Sequence, residues 1–125
     1  MNKIIRKIQY SEKVYRFDVE APLIAKSRKA GNFVIIRVDA NSERMPLTIA
    51  DADTEKGTIT LVVQKVGLSS TKLCNLNEGD EIHDVVGPLG NPTHIENFGT
   101  VLCAGGGVGV APMLPIIKAL KAAGN

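Results

Sequence analysis

Three stretches of this chain carry residues whose types and spacing suit the binding of a phosphate-bearing ligand. The first is VLCAGGGVGVAPM, Val101 to Met113, where Gly105, Gly106, Gly107 and Gly109 stand between an apolar run and Pro112. A glycine-rich turn from a strand into a helix presents backbone N–H groups at the helix start, a surface suited to phosphate. The spacing does not complete the dinucleotide fingerprint G-x-G-x-x-G. With Gly105 and Gly107 in the first two places the third is Val110, and a start at Gly107 and Gly109 puts Pro112 there. No lysine completes a Walker loop. Two readings stand for the loop: nucleotide contact, or a tight turn that brings strand and helix close. The second stretch is RMPLTIAD. Arg44 offers a planar fork of donors that matches phosphate or carboxylate. Met45 before Pro46 is biased toward extended backbone, Leu47 follows, and Thr48 adds a hydroxyl. A surface arginine on a strand with a threonine is the plainer reading. The third stretch is GLSSTKL, where Gly67 and the hydroxyls of Ser69, Ser70 and Thr71 precede a short helix; plain capping is the alternative to anion contact.

The elements that must position these residues are mostly strands. KIIRKIQ and KVYRFDVEAP alternate apolar and polar residues with a period near two and predict two half-buried strands, with SEK as their turn and Pro22 as the end of the second. GNFVIIRVD predicts a third strand. GTITLVVQKV, rich in β-branched residues, predicts another, entered from a hairpin at ADTEKG. GDEIHDVVGPLG gives a further short strand before Pro88. A small helix is expected at SSTKLCNLN, capped by Ser70, with Leu73 and Leu76 facing inward. Short strands separated by turn signals are the pattern of a barrel or sandwich. The pattern then changes. GTVLCAGGG predicts a strand running into glycines. APMLPIIKALKAAGN predicts an amphipathic helix with Ile116, Ile117 and Leu120 on one side, Lys118 and Lys121 on the other, Pro112 and Pro115 in its early part and Gly124 at its C-terminal end. One strand and one helix make the first unit of a parallel α/β domain. The expected division is therefore residues 1–98 and 99–125.

Composition narrows the classes. The 125 residues are 44% hydrophobic, which suits a packed core and argues against disorder. A net charge of +2, with basic and acidic residues interspersed, is no nucleic-acid footprint. No apolar run approaches membrane-spanning length, and MNKIIRKIQY lacks the apolar core and cleavage site of a signal peptide. Cys74 and Cys103 make no disulfide framework, so an intracellular, cytoplasmic setting is expected. No metal site is expected, and His83 and His94 read as structural or solvent-facing.

Taken in order, the three stretches resemble the ferredoxin reductase superfamily of flavoproteins. In that family an antiparallel, Greek-key flavin-binding barrel precedes a pyridine-nucleotide domain. The resemblance rests on Arg44 to Thr48 as an R-x-x-[ST]-like segment, Gly67 to Thr71, the GPLG of Gly87 to Gly90, and the loop from Gly105 to Pro112. PLIA, GTITLVVQKVG, VVGPLGNPTHIENFG and GGGVGVAPMLPIIKALKAAGN narrow it. They are similar to the small subunits of NADH-dependent ferredoxin:NADP oxidoreductases, also called sulfide dehydrogenase β subunits. The electron-transfer subunits of dihydroorotate dehydrogenase are closely similar too.

The resemblance implies FAD in the barrel. Arg44 would meet its pyrophosphate, and Met45, Pro46, Leu47 and Thr48 would run along the flavin. Val63, Gln64 and Lys65 would run beside the ring and the phosphates. Gly67, Ser70 and Thr71 would close over the pyrophosphate. Gly105, Gly106, Gly107, Gly109 and Pro112 would face NAD(H) or NADP(H). The flavin performs the redox step, so no side chain is named as catalytic. Implied partners are a large oxidoreductase subunit and ferredoxin; a homodimer through the apolar face of the last helix is also expected. The family's [2Fe–2S] centre needs four thiolates, which two cysteines do not supply, so the chain is expected to be the front part of a longer polypeptide. Two departures stand out. Asn32 occupies a place where the family usually has glutamine, and Ser70 stands where the dihydroorotate branch often has glycine, which favours the ferredoxin oxidoreductase branch. The other readings are the dihydroorotate branch itself and a barrel used only as an interaction module.

Overall fold

The structure is a computed structural model and describes residues 2–125. The amino-terminal hairpin forms as its alternation dictates. Strands β1 (Ile4–Gln9) and β2 (Val14–Glu20) pair antiparallel, and Ile4, Phe17 and Val19 point into the core. Pro22, expected to end the second strand, instead opens a helix, α1 (Pro22–Ser27), at a first-turn position where its missing N–H costs nothing. This helix is a departure from the sequence reading. Six residues are too few for a periodic signal, and burial of Ile24 and Ala25 at the barrel's end holds it. Strand β3 (Phe33–Arg37) buries Val34 and Ile36, and β4 (Met45–Thr48) pairs with it. Next come β5 (Asp51–Asp53), β6 (Thr58–Gln64), α2 (Leu68–Cys74) and β7 (Asp84–Leu89).

The strands form two antiparallel sheets, ordered β1-β2-β6-β5 and β4-β3-β7. Two seams join them into a barrel. On one side Ile4 N–H donates to the Asp80 carbonyl (2.8 Å) and Lys3 bridges Glu81. On the other the chain turns through Ile49 and Ala50, both buried, where Ala50 N–H donates to the Thr60 carbonyl of β6 (2.9 Å). Consecutive strands β3 to β6 neighbour one another around the wall, and β7 returns between β3 and β1, which is the Greek-key order expected. One core cluster fills the interior, from Ile4 and Phe17 through Ile36, Ile59 and Leu61 to Leu73 and Ile82.

Asn32 sits in this wall, 6% exposed, with its side chain fully engaged. Its Nδ2 donates to the Leu89 and Gly90 carbonyls (3.1 Å each), and its Oδ1 accepts from Lys29 N–H (2.8 Å). The amide therefore clamps the entry of β3 to the end of β7. Both of its N–H donors are spent on the wall, leaving none for a cofactor. The neighbouring Gly31 is fixed by a φ of +94° and by Thr93, whose Oγ1 would lie 2.5 Å from an added Cβ.

The carboxy-terminal part departs from expectation in one respect. Residues 101–106 form no strand. A strand needs a neighbour to take its backbone hydrogen bonds, and none lies beside this segment among the described residues. Leu102 is accordingly 94% exposed. A short 3₁₀ turn at Gly107–Gly109 leads into α3 (Val110–Ala122), which ends at Gly124 with φ +99°. Pro115 and Leu120 are buried, whereas Val110, Leu114 and Ile117 stay substantially exposed, so the helix has an incompletely covered apolar face. No helix is long and apolar enough to cross a membrane among the described residues.

Asn32→Ala should strand two carbonyls and one N–H in the wall and lower stability by about 1–3 kcal/mol. The shift in the urea midpoint against the parent chain measures it.

Candidate functional site

Strand β4 presents its residues alternately. Met45 and Leu47 pack against the core, so Pro46, Thr48 and the preceding Arg44 share the outer side. Arg44 is exposed and makes no hydrogen bond or ion pair to any described residue, and the Thr48 hydroxyl is equally free. A guanidinium without a partner beside a free hydroxyl is a donor pair with its bonding capacity unspent.

The third stretch comes close to the second. Lys72 on α2 reaches across to the loop before β4, with Nζ 3.4 Å from Ser42 Oγ and 3.7 Å from Asp39 Oδ2. Asp39 lies below the usual carboxylate range, first through its bonds from Ser42 and Asn41 and then through Lys72. Helix α2 is held at its other end as well. Lys7 Nζ donates to the Cys74 carbonyl (2.7 Å) while lying over the rings of Tyr15 and Phe17. Ser70 is not the cap expected. The cap position is Gly67, and Ser70 sits inside the helix, where its Oγ accepts from Val66 N–H (2.9 Å) and donates to the Gly67 carbonyl (3.3 Å). Its hydroxyl closes the turn into α2. Thr71 is half-buried, with its hydroxyl free among the described residues.

Strand β6 separates into two kinds of residue. Val63 is buried in the core, and its backbone faces Tyr15 of β2. The bond from Lys65 N–H to the Lys13 carbonyl (2.6 Å) fixes the alternation of that ladder. It therefore turns the backbone groups of Val62 and Gln64 away from β2. Pairing with β5 has ended at Asp51↔Thr60 by then, so the edge of β6 from Val62 to Gln64 has no strand on that side. Val62, which the sequence reading did not name, borders this edge, while Val63 is in the core. The signal was the two-residue period of a strand whose inner set is Ile59, Leu61 and Val63.

The glycine loop joins this region. Gly107, Val108, Val110, Ala111 and Leu114 face Val62 and Gln64 across a cleft of about 490 Å³, closed on its third side by Tyr10, Ser11 and Val14 of the first hairpin. Of the predicted site residues, Gln64, Gly107 and the α3 start thus meet in one cleft. Arg44, Thr48 and the head of α2 gather on the neighbouring β4 side. Lys65 lies near Cys74, where burial pushes the thiol up against the pull of Lys7 and Lys65.

The glycines differ in why they are glycine. Gly87 and Gly90 are packed against Val34 and Phe33, and Gly105 against Met113. Gly67, Gly106 and Gly109 have nothing within 4 Å of where a Cβ would stand, and their φ values of 173°, −146° and −63° suit any residue. Neither packing nor backbone conformation in this chain requires glycine at these three positions, and all three lie in the candidate loops.

Residues 2–94 match the family described as the oxidoreductase FAD-binding domain. The chain belongs to that family. Over its whole length this FAD-binding domain is 49% identical to a Thermotoga maritima protein named dihydroorotate dehydrogenase B (NAD(+)) electron transfer subunit homolog, and covers 44% of it. It matches the structure of an NADH-dependent reduced ferredoxin-NADP oxidoreductase, studied for flavin-based electron bifurcation, with a TM-score of 0.98 and 49% identity. That match covers all of this chain and 45% of the other. A dihydroorotate dehydrogenase B electron transfer subunit from Fusobacterium nucleatum is 30% identical across 89% of this chain and 45% of its own. Phthalate dioxygenase reductase, at 19% identity and a TM-score of 0.69, shares the fold. The chain spans under half the length of these relatives. Its two cysteines, one buried and one exposed, do not form the thiolate set of an iron–sulfur cluster.

Cys103, on the exposed segment, should react at once with a maleimide, and Cys74 only after unfolding. Mass spectrometry should show one adduct in buffer and two in denaturant; two in buffer would place α2 differently.

Proposed function

We propose that this chain is the flavin-carrying part of an electron-transfer subunit. In this reading FAD lies along the outer side of β4 and the open edge of β6, and electrons pass between NAD(H) or NADP(H) and an iron–sulfur or ferredoxin partner. Gly67, Gly106 and Gly109 carry the reading: they are glycines that the fold does not need, in the loops where a ligand would need the room. Arg44, with no protein partner, would hold the pyrophosphate. Thr48 would offer a hydroxyl to the flavin edge, and the backbone of Val62 and Gln64 would offer donors and acceptors to a heterocycle. Gln64, Lys65 and Thr71 would border the phosphates, and Ser70 would act indirectly by shaping the Gly67 turn. When bound, the flavin supplies the capacity to accept a hydride and release single electrons. The protein's part is to bind it, orient it and keep its reacting face clear, so no side chain is assigned as acid or base.

The chain divides, on this reading, into residues 1–98 as the flavin barrel and 99–125 as the start of the nucleotide unit, whose loop would face the nicotinamide cofactor. A larger oxidoreductase subunit and ferredoxin are the proposed partners, in the cytoplasm. The ferredoxin oxidoreductase branch is preferred to the dihydroorotate branch. Ser70, where the dihydroorotate branch often has glycine, supports that preference; identity does not separate the branches, being 49% both to the solved ferredoxin-NADP oxidoreductase and to the Thermotoga maritima protein named as a dihydroorotate dehydrogenase B electron transfer subunit homolog.

Calorimetric titration tests the assignment. FAD should bind, and FMN, without the pyrophosphate, more weakly. Arg44→Ala should remove a charge-assisted contact worth roughly 1.5–3 kcal/mol, a loss of about ten- to a hundredfold in affinity. Gly67→Ala should leave stability within about 0.5 kcal/mol of the parent yet weaken FAD. Unchanged FAD affinity in both variants would remove the site from this place.

A further inference from the structure

Helix α3 lies on the outer face of the β2-β6-β5 sheet, and its two ends meet that face by different chemistry. At its start Val108, Val110 and Leu114 stand opposite Tyr10, Val14 and Val62 across the cleft. Apolar contact of this kind is non-directional and leaves a helix free to roll. Two turns further on, Lys118 Nζ donates to Asp51 Oδ2 at 2.8 Å. Among the described residues this is the one polar bond between α3 and a barrel strand. Asn125, past the helix, bonds the 96–98 segment and not the barrel.

Asp51 is suited to be a fixed point. It is the first residue of β5, paired with Thr60, and its other oxygen accepts from Ala52 N–H at 2.9 Å. Burial raises its carboxyl, but Lys118, the Ala52 N–H and Arg28 outweigh that and leave it below the usual carboxylate range. It therefore stays an anion wherever the protein is folded at ordinary pH. Lys118 lies roughly 12 Å along the helix from Val110, at 1.5 Å per residue. A small rotation about Lys118 therefore displaces the glycine loop relative to β6. The solved relative superposes over this entire chain, α3 included, at a TM-score of 0.98, so the same seating of the helix occurs in a longer protein.

We propose that the Asp51–Lys118 ion pair is the pin that sets how α3 lies on the barrel, and that these two side chains are positioning residues for the glycine loop above the β6 edge. The proposal rests on the functional reading given above only for its purpose, which is to hold the nucleotide half at a fixed height over the flavin half. The pin itself is a property of the protein without ligand.

Hydrogen exchange on the full chain tests it, using Asp51→Asn, Lys118→Met, their combination, and Lys118→Arg. Glu55→Gln, an exposed acid nearby with no bond to α3, serves as the control for net charge. Each single neutral variant should speed exchange about threefold at Val108 to Leu114 and at the facing hairpin, Tyr10 to Val14, as the loss of a partly exposed pair allows. The combined variant should be no faster than either single one, because both remove the same bond. Lys118→Arg and Glu55→Gln should match the parent. Unchanged exchange in both single variants would overturn the pin. So would a combined effect equal to the product of the two, because a merely structural pair of independent contacts behaves that way. FAD titration of the same proteins keeps the two readings apart. A parent chain that takes no FAD would refute the proposed function, and the exchange data would still decide the pin.

Discussion

The fold turns on the parting of β4 from β6. A small antiparallel barrel must pass its chain from one sheet to the other, and here it does so through Ile49 and Ala50, inside the core. Backbone groups buried at such a corner need partners. Ile49 N–H finds the Asn32 carbonyl and Ala50 N–H the Thr60 carbonyl. Those two bonds decide where β5 begins, and therefore where it stops supporting β6. Everything of interest borders that gap: Arg44 and Thr48 on one side, the free edge of Val62 to Gln64 on the other, the head of α2 at its end. The clamp at Asn32 belongs to the same device, since it holds the strand entry from which Ile49 takes its bond.

Binding capacity at the gap comes from groups the fold leaves unspent, and the fold spends most of what it has. No buried side-chain nitrogen or oxygen lacks a hydrogen-bond partner among the described residues. Arg16, Asp18 and Thr60 satisfy one another on the outer face of the sheet, with Thr60 Oγ1 donating to Asp18 at 2.7 Å and Arg16 donating to the same carboxylate. Against that background an arginine and a threonine with no partners stand apart. The same contrast separates Ser70, whose hydroxyl is committed, from Thr71 one residue later.

Much of this was legible from residue order. Alternation in KIIRKIQ, KVYRFDVE and TITLVVQ located three strands because each has one face in the core, and burial writes itself into sequence with a period of two. Helix α3 was legible for the same reason at a period of 3.6. Helix α1 was not, because six residues carry no period and Pro22 reads equally well as a stop or a start. The segment 101–106 misled because apolar residues signal a strand only when a neighbour exists to pair with them. Within the candidate site, Arg44, Thr48 and the glycines were nominated by type. The bare edge at Val62 was not legible, because sequence gives the strand and not which of its edges is bare. The Asp51–Lys118 pair joins residues 67 apart and has no local signature at all.

One proline gives α3 a history as well as a shape. Pro115 lacks the N–H that would bond four residues back, so the Ala111 carbonyl has no helical donor, whereas Pro112 stands in the first turn and costs no bond. A 13-residue helix is already a poor former on its own, and one missing this bond forms only when something holds its side chains. The barrel is that support, and it lies upstream in the chain. All the strands of that wall precede α3 in the chain, so synthesis delivers the support before the helix that needs it.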